Sequence, residues 1–395
     1  MKRVFVNLIP VFLTVYLFTG FSAFAQYKYD PNALNVITTA VPFLMIGPDA
    51  RGGGLGDAGV SSTPDANSMH WNPAKYAFID KDMGFSISYC PWLRALVDDI
   101  GLAYLSGYKK IGNDQAIAAS LLYFSLGSIT FTDNVGTSLG DYKPNEYAID
   151  VCYSRKFSEV ISGGVSLRYI HSNLTLGQYV GGAESHAGNS IATDVSAYYQ
   201  KELEFGRTPA KLGVGLNISN IGNKMSYTET TERDFIPINM RFGPTLTLDL
   251  DEYNSLAIMI DINKLLVPTP PVYDSTGITI LAGKDPNPYV VSGMFQSFSD
   301  APGGFKEEMK EFTFSPGIEY WYDKQFAIRA GFFYEDKTKG NRKFFTLGAG
   351  LKYNVFGLDF AYLIPVEQRN PLENTLRFTL LFDFDAFKDQ NKTEK

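Results

Sequence analysis

Residues 54–59 read GLGDAG and fit the pattern G-x-G-x-x-G letter for letter. The chemistry on offer is phosphate binding. In that chemistry the glycines close a strand and open a helix whose amino end faces a pyrophosphate, inside a βαβ unit of roughly 30 residues. Pro64 and Pro73 stand too close behind for such a helix. A turn or two near 65–71 is all that fits, so Gly54, Gly56 and Gly59 are expected to let the backbone pass close to a wall or to itself.

The other reactive side chains are few. The sequence has three histidines, His70, His171 and His186. Nucleophilic catalysis needs a nucleophile beside an oriented base. Glu184-Ser185-His186 puts an acid, a hydroxyl and an imidazole in a row, but within the Gly-rich stretch VGGAESHAGNSI, where nothing fixes a partner. His70, between Met69 and Trp71, is expected to be a satisfied hydrogen-bonding residue. Cys90 and Cys152 lie in separate strand-like runs and read as small buried residues, with no disulfide framework and no metal site. No catalytic residue, no cofactor and no enzymatic activity are expected.

The amino terminus sets the compartment. Lys2 and Arg3 precede an apolar run from Val4 to Phe21, and Ala23-Phe24-Ala25 supplies an A-x-A cleavage site, so 1–25 reads as a secretory signal removed on export. Outside the cytoplasm little dinucleotide is met. The sequence has 35 basic residues, two of them in the leader, against 42 acidic ones, and no basic stripe, so no nucleic acid is expected as a partner. After the leader no run of about 18 apolar residues occurs, which excludes membrane-spanning helices.

What fills the chain is alternation. In 374–385, Leu376, Phe378, Leu380, Phe382 and Phe384 take one side while Thr375, Arg377, Thr379 and Asp383 take the other. Side chains in a strand change face at every residue, so each such strand has one apolar and one polar face. The same pattern places Arg168, Asp194, Arg241, Asp261, Arg329 and Glu335 on the polar faces. Fourteen strands are predicted: 83–90, 99–108, 115–125, 145–156, 161–171, 190–202, 210–219, 236–248, 253–264, 311–323, 325–336, 342–354, 355–364 and 374–385.

Connection lengths choose between a soluble sandwich and a membrane barrel. Those after odd-numbered strands include long ones, 126–144, 172–189, 220–235 and 265–310, whereas those after even-numbered strands are short. Short periplasmic turns on one rim and long loops on the other belong to an all-β transmembrane outer-membrane barrel, whose strands need roughly 9–11 residues to cross. Closure pairs every backbone amide, as lipid demands. An even strand number puts both ends on the periplasmic side. Tyr89, Trp92, Tyr104, Tyr147, Tyr153, Tyr169, Tyr320, Trp321, Tyr322, Tyr334, Tyr353 and Tyr362 lie near strand ends, where interfacial girdles belong. The expected organisation is a leader at 1–25, a Gly-rich plug at 26–82, the barrel at 83–387 and a periplasmic tail at 388–395, with the terminal assembly signal at Phe384 or Phe387.

The run ARGGGLGDAGVSSTPDANSMHWNPA, with Arg51, Gly52, Gly54, Gly56, Asp57, Gly59, Trp71, Asn72 and Pro73 as its motif, resembles the amino-terminal signature of barrels related to the long-chain fatty-acid channel FadL. In that family a Gly-rich segment and an NPA element precede a fourteen-stranded barrel. Within it the chain is most similar to the PorV (LptO) family of Bacteroidetes type IX secretion, and less to the PorQ paralogues. The likeness runs from YDPNALNVITTAVPFLMIGPDARGGGLGDAG to the closing NTLRFTLLFDF.

The resemblance implies residence in outer-membrane lipid among lipopolysaccharide. It implies docking beside the giant translocon barrel SprA, capture of cargo through its carboxy-terminal signal domain, and delivery to the surface complex of the sortase PorU. A role associated with lipid A deacylation has also been proposed for the family. If binding is the task, the loop 265–310 is the surface most able to perform it. Pro268, Pro270 and Pro271 stiffen the stretch that includes Tyr273, and a stiff loop loses less entropy on docking. Met294, Phe295, Phe298 and Phe305 supply apolar anchors, and 305–312 reads as a solvated lead into the tenth strand. The rival reading is a FadL-like channel for hydrophobic small molecules, against which the charged lumen weighs.

Overall fold

The computed structural model describes residues 30–384 apart from 31, 95–96, 133–134, 178, 181–182, 207 and 230–232. The predicted leader, the tail and Phe387 lie outside the described residues. Fourteen strands close a barrel: β1 Met83–Pro91, β2 Gly101–Ile111, β3 Gln115–Ser125, β4 Asn145–Lys156, β5 Ile161–Asn173, β6 Gly188–Phe205, β7 Thr208–Gly222, β8 Asn239–Asp249, β9 Asn254–Leu265, β10 Thr313–Tyr322, β11 Phe326–Tyr334, β12 Lys343–Tyr353, β13 Phe356–Pro365 and β14 Leu376–Asp383. Each is antiparallel to the next, and β14 returns to β1 with Gly84 opposite Asp383. All fourteen expected strands are present.

Alternation carries through into two solvents. Along β4, Glu146, Ala148, Asp150, Cys152 and Ser154 are buried towards the lumen while Ile149, Val151 and Tyr153 are exposed outside. Leu105, Val165, Ile258, Ile328, Leu347 and Leu380 continue that exposed apolar face around the ring. So large an apolar surface is stable only against lipid.

The rim that carries 126–144, 174–187, 223–238 and 266–312 is the outer one by the same rule, and the opposite rim carries turns such as 112–114 and 323–325. Both barrel termini, Met83 and Asp383, lie at the short-turn rim, as strand parity requires. The amino-terminal segment does not. Asn35 donates from its backbone to the Thr338 carbonyl at 3.0 Å and from its amide to that of Pro270 at 3.2 Å, and Ala40 N donates to Phe235 O at 2.9 Å. All three partners belong to outer loops. The plug therefore enters the lumen from the outer rim and leaves at the periplasmic one, because parity constrains only paired strands.

The aromatic girdle also needs correction. Tyr104 is buried in the lumen-side cluster, and the Trp321 ring sits inside beneath Arg329 and Lys352, at 5.4 and 4.8 Å from its centroid. Trp92 likewise packs against the inner clusters. Proximity to a strand end does not fix the face; parity does, and these residues share it with inward Ser106 and Glu319 or turn in from a loop.

Candidate functional site

The plug's motif residues each have a mechanical role. Asp49 caps the short helix Ala50–Gly54: one carboxylate oxygen accepts from Gly52 N at 2.8 Å, the other from Trp71 Nε1 at 2.6 Å. A Cβ on Gly52 would stand 2.3 Å from the Trp71 ring, so the indole is seated on bare backbone. Gly56 has φ +74°, and a Cβ there would meet the Phe332 backbone nitrogen of the barrel wall at 2.7 Å. Gly59 N and Val60 N both donate to Asp261 Oδ2 at 2.8 Å. Gly54 and Gly56 are thus pressed against the wall and Gly59 against Trp71 of the plug itself, so the glycines serve close approach rather than a phosphate.

The NPA element ends the plug in the same manner. Asn72 caps the 3-10 helix Pro73–Phe78, accepting from Ala74 N at 3.0 Å while its amide donates to Val60 O and Ala197 O. Pro73 takes the first helical position, where its missing N–H costs nothing. Lys75, wholly buried, donates to Gly59 O at 2.7 Å and Ser62 Oγ at 3.0 Å. Burial lowers its pKa to about 8, opposed in part by Asp65.

Charges link plug to wall. Arg51 holds Glu319 bidentately, Nε to Oε1 at 2.9 Å and Nη2 to Oε2 at 2.7 Å, and also donates to Asp65 at 2.8 Å. Arg329 donates to the same Glu319 at 2.8 Å and to Asp359 at 2.7 Å. Asp57 pairs with Arg377, and on the far wall Arg168 bridges Asp150 at 2.5 Å and Asp194 at 3.1 Å. Burial would raise the Asp65 carboxyl, but Arg51 holds it below its ordinary value. Arg168, Asp194, Asp261 and Arg329 are inward, as parity predicts. For Glu319 and Asp49 the sequence offers only inward parity at 319 and an Asp immediately before a helical turn, and for Lys75 it offers no signal of burial.

The histidines do not assemble a reactive centre. The His70 ring stands edge-on to Trp71 at 4.8 Å between centroids, and its Nε2 has no hydrogen-bond partner among the described residues, contrary to the expectation of a satisfied residue. Its neighbours in sequence proved to be packing surfaces. Burial pushes its pKa well below the ordinary value, so it is neutral. His171 Nδ1 lies 2.8 Å from Asn189 Oδ1 and His186 Nδ1 3.1 Å from the Ala187 carbonyl.

The loop 266–312 is braced from beneath. Phe305–Glu308 forms a helical turn, and Glu307, Glu308 and Glu311 are buried rather than solvated as expected. Lys264 reaches Glu311 at 2.5 Å and Glu308 at 3.3 Å; Lys339 reaches Glu307 at 2.7 Å and Glu311 at 3.0 Å. The turn aligns Glu307 with Glu311 four residues on, and two lysines from other elements make that row worth burying. Pro268 is buried, and Met294 is half-buried with one side packed against the inner apolar cluster. Pro270 and Pro271 are half-buried; Tyr273, Phe295, Phe298 and Phe305 are exposed, together with Tyr289 and Val291 on the short helix Val290–Gln296 and its amino-side neighbour.

Among solved structures, the chain is similar to the Ralstonia pickettii toluene transporter TbuX, with 12% identity and a TM-score of 0.45 over 86% of this chain and 98% of that one. The Pseudomonas putida toluene transporter TodX gives 12% identity and 0.46 over 88% and 98%, and a Pseudomonas aeruginosa FadL homologue 12% and 0.43 over 89% and 100%. No curated protein matches. The family model described as type IX secretion system protein PorV matches residues 29–272, more than half the sequence. With its closed outer-membrane barrel and plugged lumen, the chain belongs to the PorV family of type IX secretion.

Proposed function

We propose that the protein is a cargo adaptor of type IX secretion: docked beside the translocon barrel SprA, it takes exported proteins by their carboxy-terminal signal domains and passes them to the surface complex of the sortase PorU. One observation carries this reading beyond family membership. The outer loop 266–312 presents Phe295 and Phe305, 75% and 77% exposed, on a base locked by buried ion pairs. Exposed aromatic anchors on a rigid support have the form of a binding hot spot, since little ordering entropy is lost on docking. A plug bonded to the wall through Arg51, Asp57 and Gly59 argues for a binding surface rather than an open conduit for hydrophobic compounds.

The test is export. In a strain lacking the gene, wild-type protein should restore surface delivery of proteins bearing type IX signal domains, while the triple variant Phe295→Asp, Phe298→Asp, Phe305→Asp should insert normally yet fail to restore it. Unchanged export by a correctly inserted triple variant defeats the loop as the docking surface. Unchanged export in the deletion strain itself defeats the adaptor reading.

A further inference from the structure

We infer that a cavity of about 400 Å³ in the outer half of the lumen is a carboxylate-binding site centred on Arg241. It lies between the plug, the wall and the outer loops, within the roughly 300–1,000 Å³ range of small-ligand sites.

Charge pairing singles out Arg241. Six charged side chains line the cavity: Asp57, Arg241, Glu311, Glu335, Lys339 and Arg342. Five are spoken for, Asp57 by Arg377, Glu311 by Lys264 and Lys339, Lys339 also by Glu307, and Glu335 and Arg342 by each other. Arg241, only 7% exposed, has no carboxylate oxygen within ion-pair distance among the described residues. Its Nε donates to Asn263 Oδ1 at 2.7 Å and its Nη1 reaches His70 O at 3.5 Å, leaving Nη2 without an acceptor among the described residues.

The guanidinium is also held for use. Its carbon sits 4.6 Å from the centroid of the Trp71 ring, and that indole is fixed by Asp49. A flat guanidinium over an indole face with a free N–H edge recognises a planar oxyanion, and a buried cation whose nearest carboxylates, Asp261 and Asp57, stand beyond ion-pair distance gains from a closer one. The remaining walls are largely apolar, with Val36, Pro42, Met45, Leu265 and Phe333. The ligand class is therefore a carboxylate on a short apolar body. Two sources share that chemistry, the free carboxy end of a peptide and a small organic acid.

The experiment uses the full-length protein in detergent and titrates three probes by calorimetry: acetyl-Val-Leu with a free carboxy end, the same dipeptide amidated, and hexanoate. One or both acids should bind saturably and the amide about 10- to 100-fold more weakly, the weight of a charge-assisted hydrogen bond. Binding of the dipeptide acid alone assigns the site to peptide ends, and binding of hexanoate alone to small acids. Arg241→Met should lose the acid preference and Arg241→Lys retain part of it, with the heat-modifiable gel shift of a closed barrel showing that each variant is folded. Equal binding of acid and amide, no saturable binding of either acid at millimolar concentration, or undiminished acid binding by folded Arg241→Met overturns the inference.

Discussion

Arg51 of the plug and Glu319 of the wall face each other fork to fork, joined at 2.9 and 2.7 Å across 268 positions of sequence. Both are almost wholly buried, and Glu319 is also held by Arg329. Truncating one partner of such a pair leaves the other charge without its match in a low-dielectric interior. Arg51→Met should cost about 3–5 kcal/mol in urea unfolding of the detergent-solubilised barrel. Adding Glu319→Gln should cost less than the sum of the single changes, since the two residues act as one unit. A loss under about 0.5 kcal/mol, the range of ordinary surface changes, would refute the pair's role in seating the plug.

The place of the plug against the wall makes a sharper steric prediction. Gly56 and Gly112 both have positive φ, +74° and +66°, so an added side chain strains the backbone at either. At Gly112 a Cβ meets nothing within 4 Å, whereas at Gly56 it meets Phe332 backbone at 2.7 Å. Gly112→Ala should cost about 1–2 kcal/mol, the left-handed penalty alone. Gly56→Ala should cost clearly more, because two backbones cannot part without lifting the plug. Equal losses in parallel thermal melts would show that the close approach is not maintained in solution.

These two cases mark what was legible in the sequence. The membrane imposes one solvent on each face of a strand, so the pattern repeats every second residue and fourteen strands could be read directly. The same parity put Arg168, Asp261 and Arg329 inside. Which plug residue each would meet has no periodic signature: nothing in the spacing of Arg51 and Glu319 marks them as partners. Glycines at 54, 56 and 59 could be read as close-approach positions once the prolines excluded a phosphate helix, but the surface approached could not. For the loop base, Glu307 and Glu311 show helical spacing, yet their burial depends on Lys264 and Lys339 arriving from elsewhere.

Lys75 gives the plug a pH dependence. Its folded-state pKa of about 8 lies below the ordinary 10.5. Below the lower value both folded and unfolded states carry the charge, and the native state bears the full cost of burying it. Between the two values the unfolded chain binds more protons, so stability rises with pH, by up to about 1.4 kcal/mol per unit, and levels off above 10.5. Lys75→Met should flatten that rise while lowering stability overall, since Gly59 O and Ser62 lose their donor. Comparing urea midpoints of the two proteins across this window separates the lysine from tyrosines that titrate in both. A variant with the wild-type slope would show that Lys75 remains charged in the native state.

The direction in which the plug threads the lumen can be read with a single cysteine. Asn35 is bonded to Thr338 and Pro270 of outer loops, and Leu34 beside it is 78% exposed. Both native thiols, Cys90 and Cys152, are buried and give little background. Leu34→Cys should therefore react with a membrane-impermeant maleimide on intact cells. A cysteine at Lys324, in the turn between β10 and β11 at the opposite rim, should react only once the outer membrane is permeabilised. The converse labelling pattern would mean that the start of the plug lies on the periplasmic side. The contacts of Asn35 and Ala40 with outer loops would then have to be abandoned, and with them the passage of the chain through the full height of the barrel before its first strand.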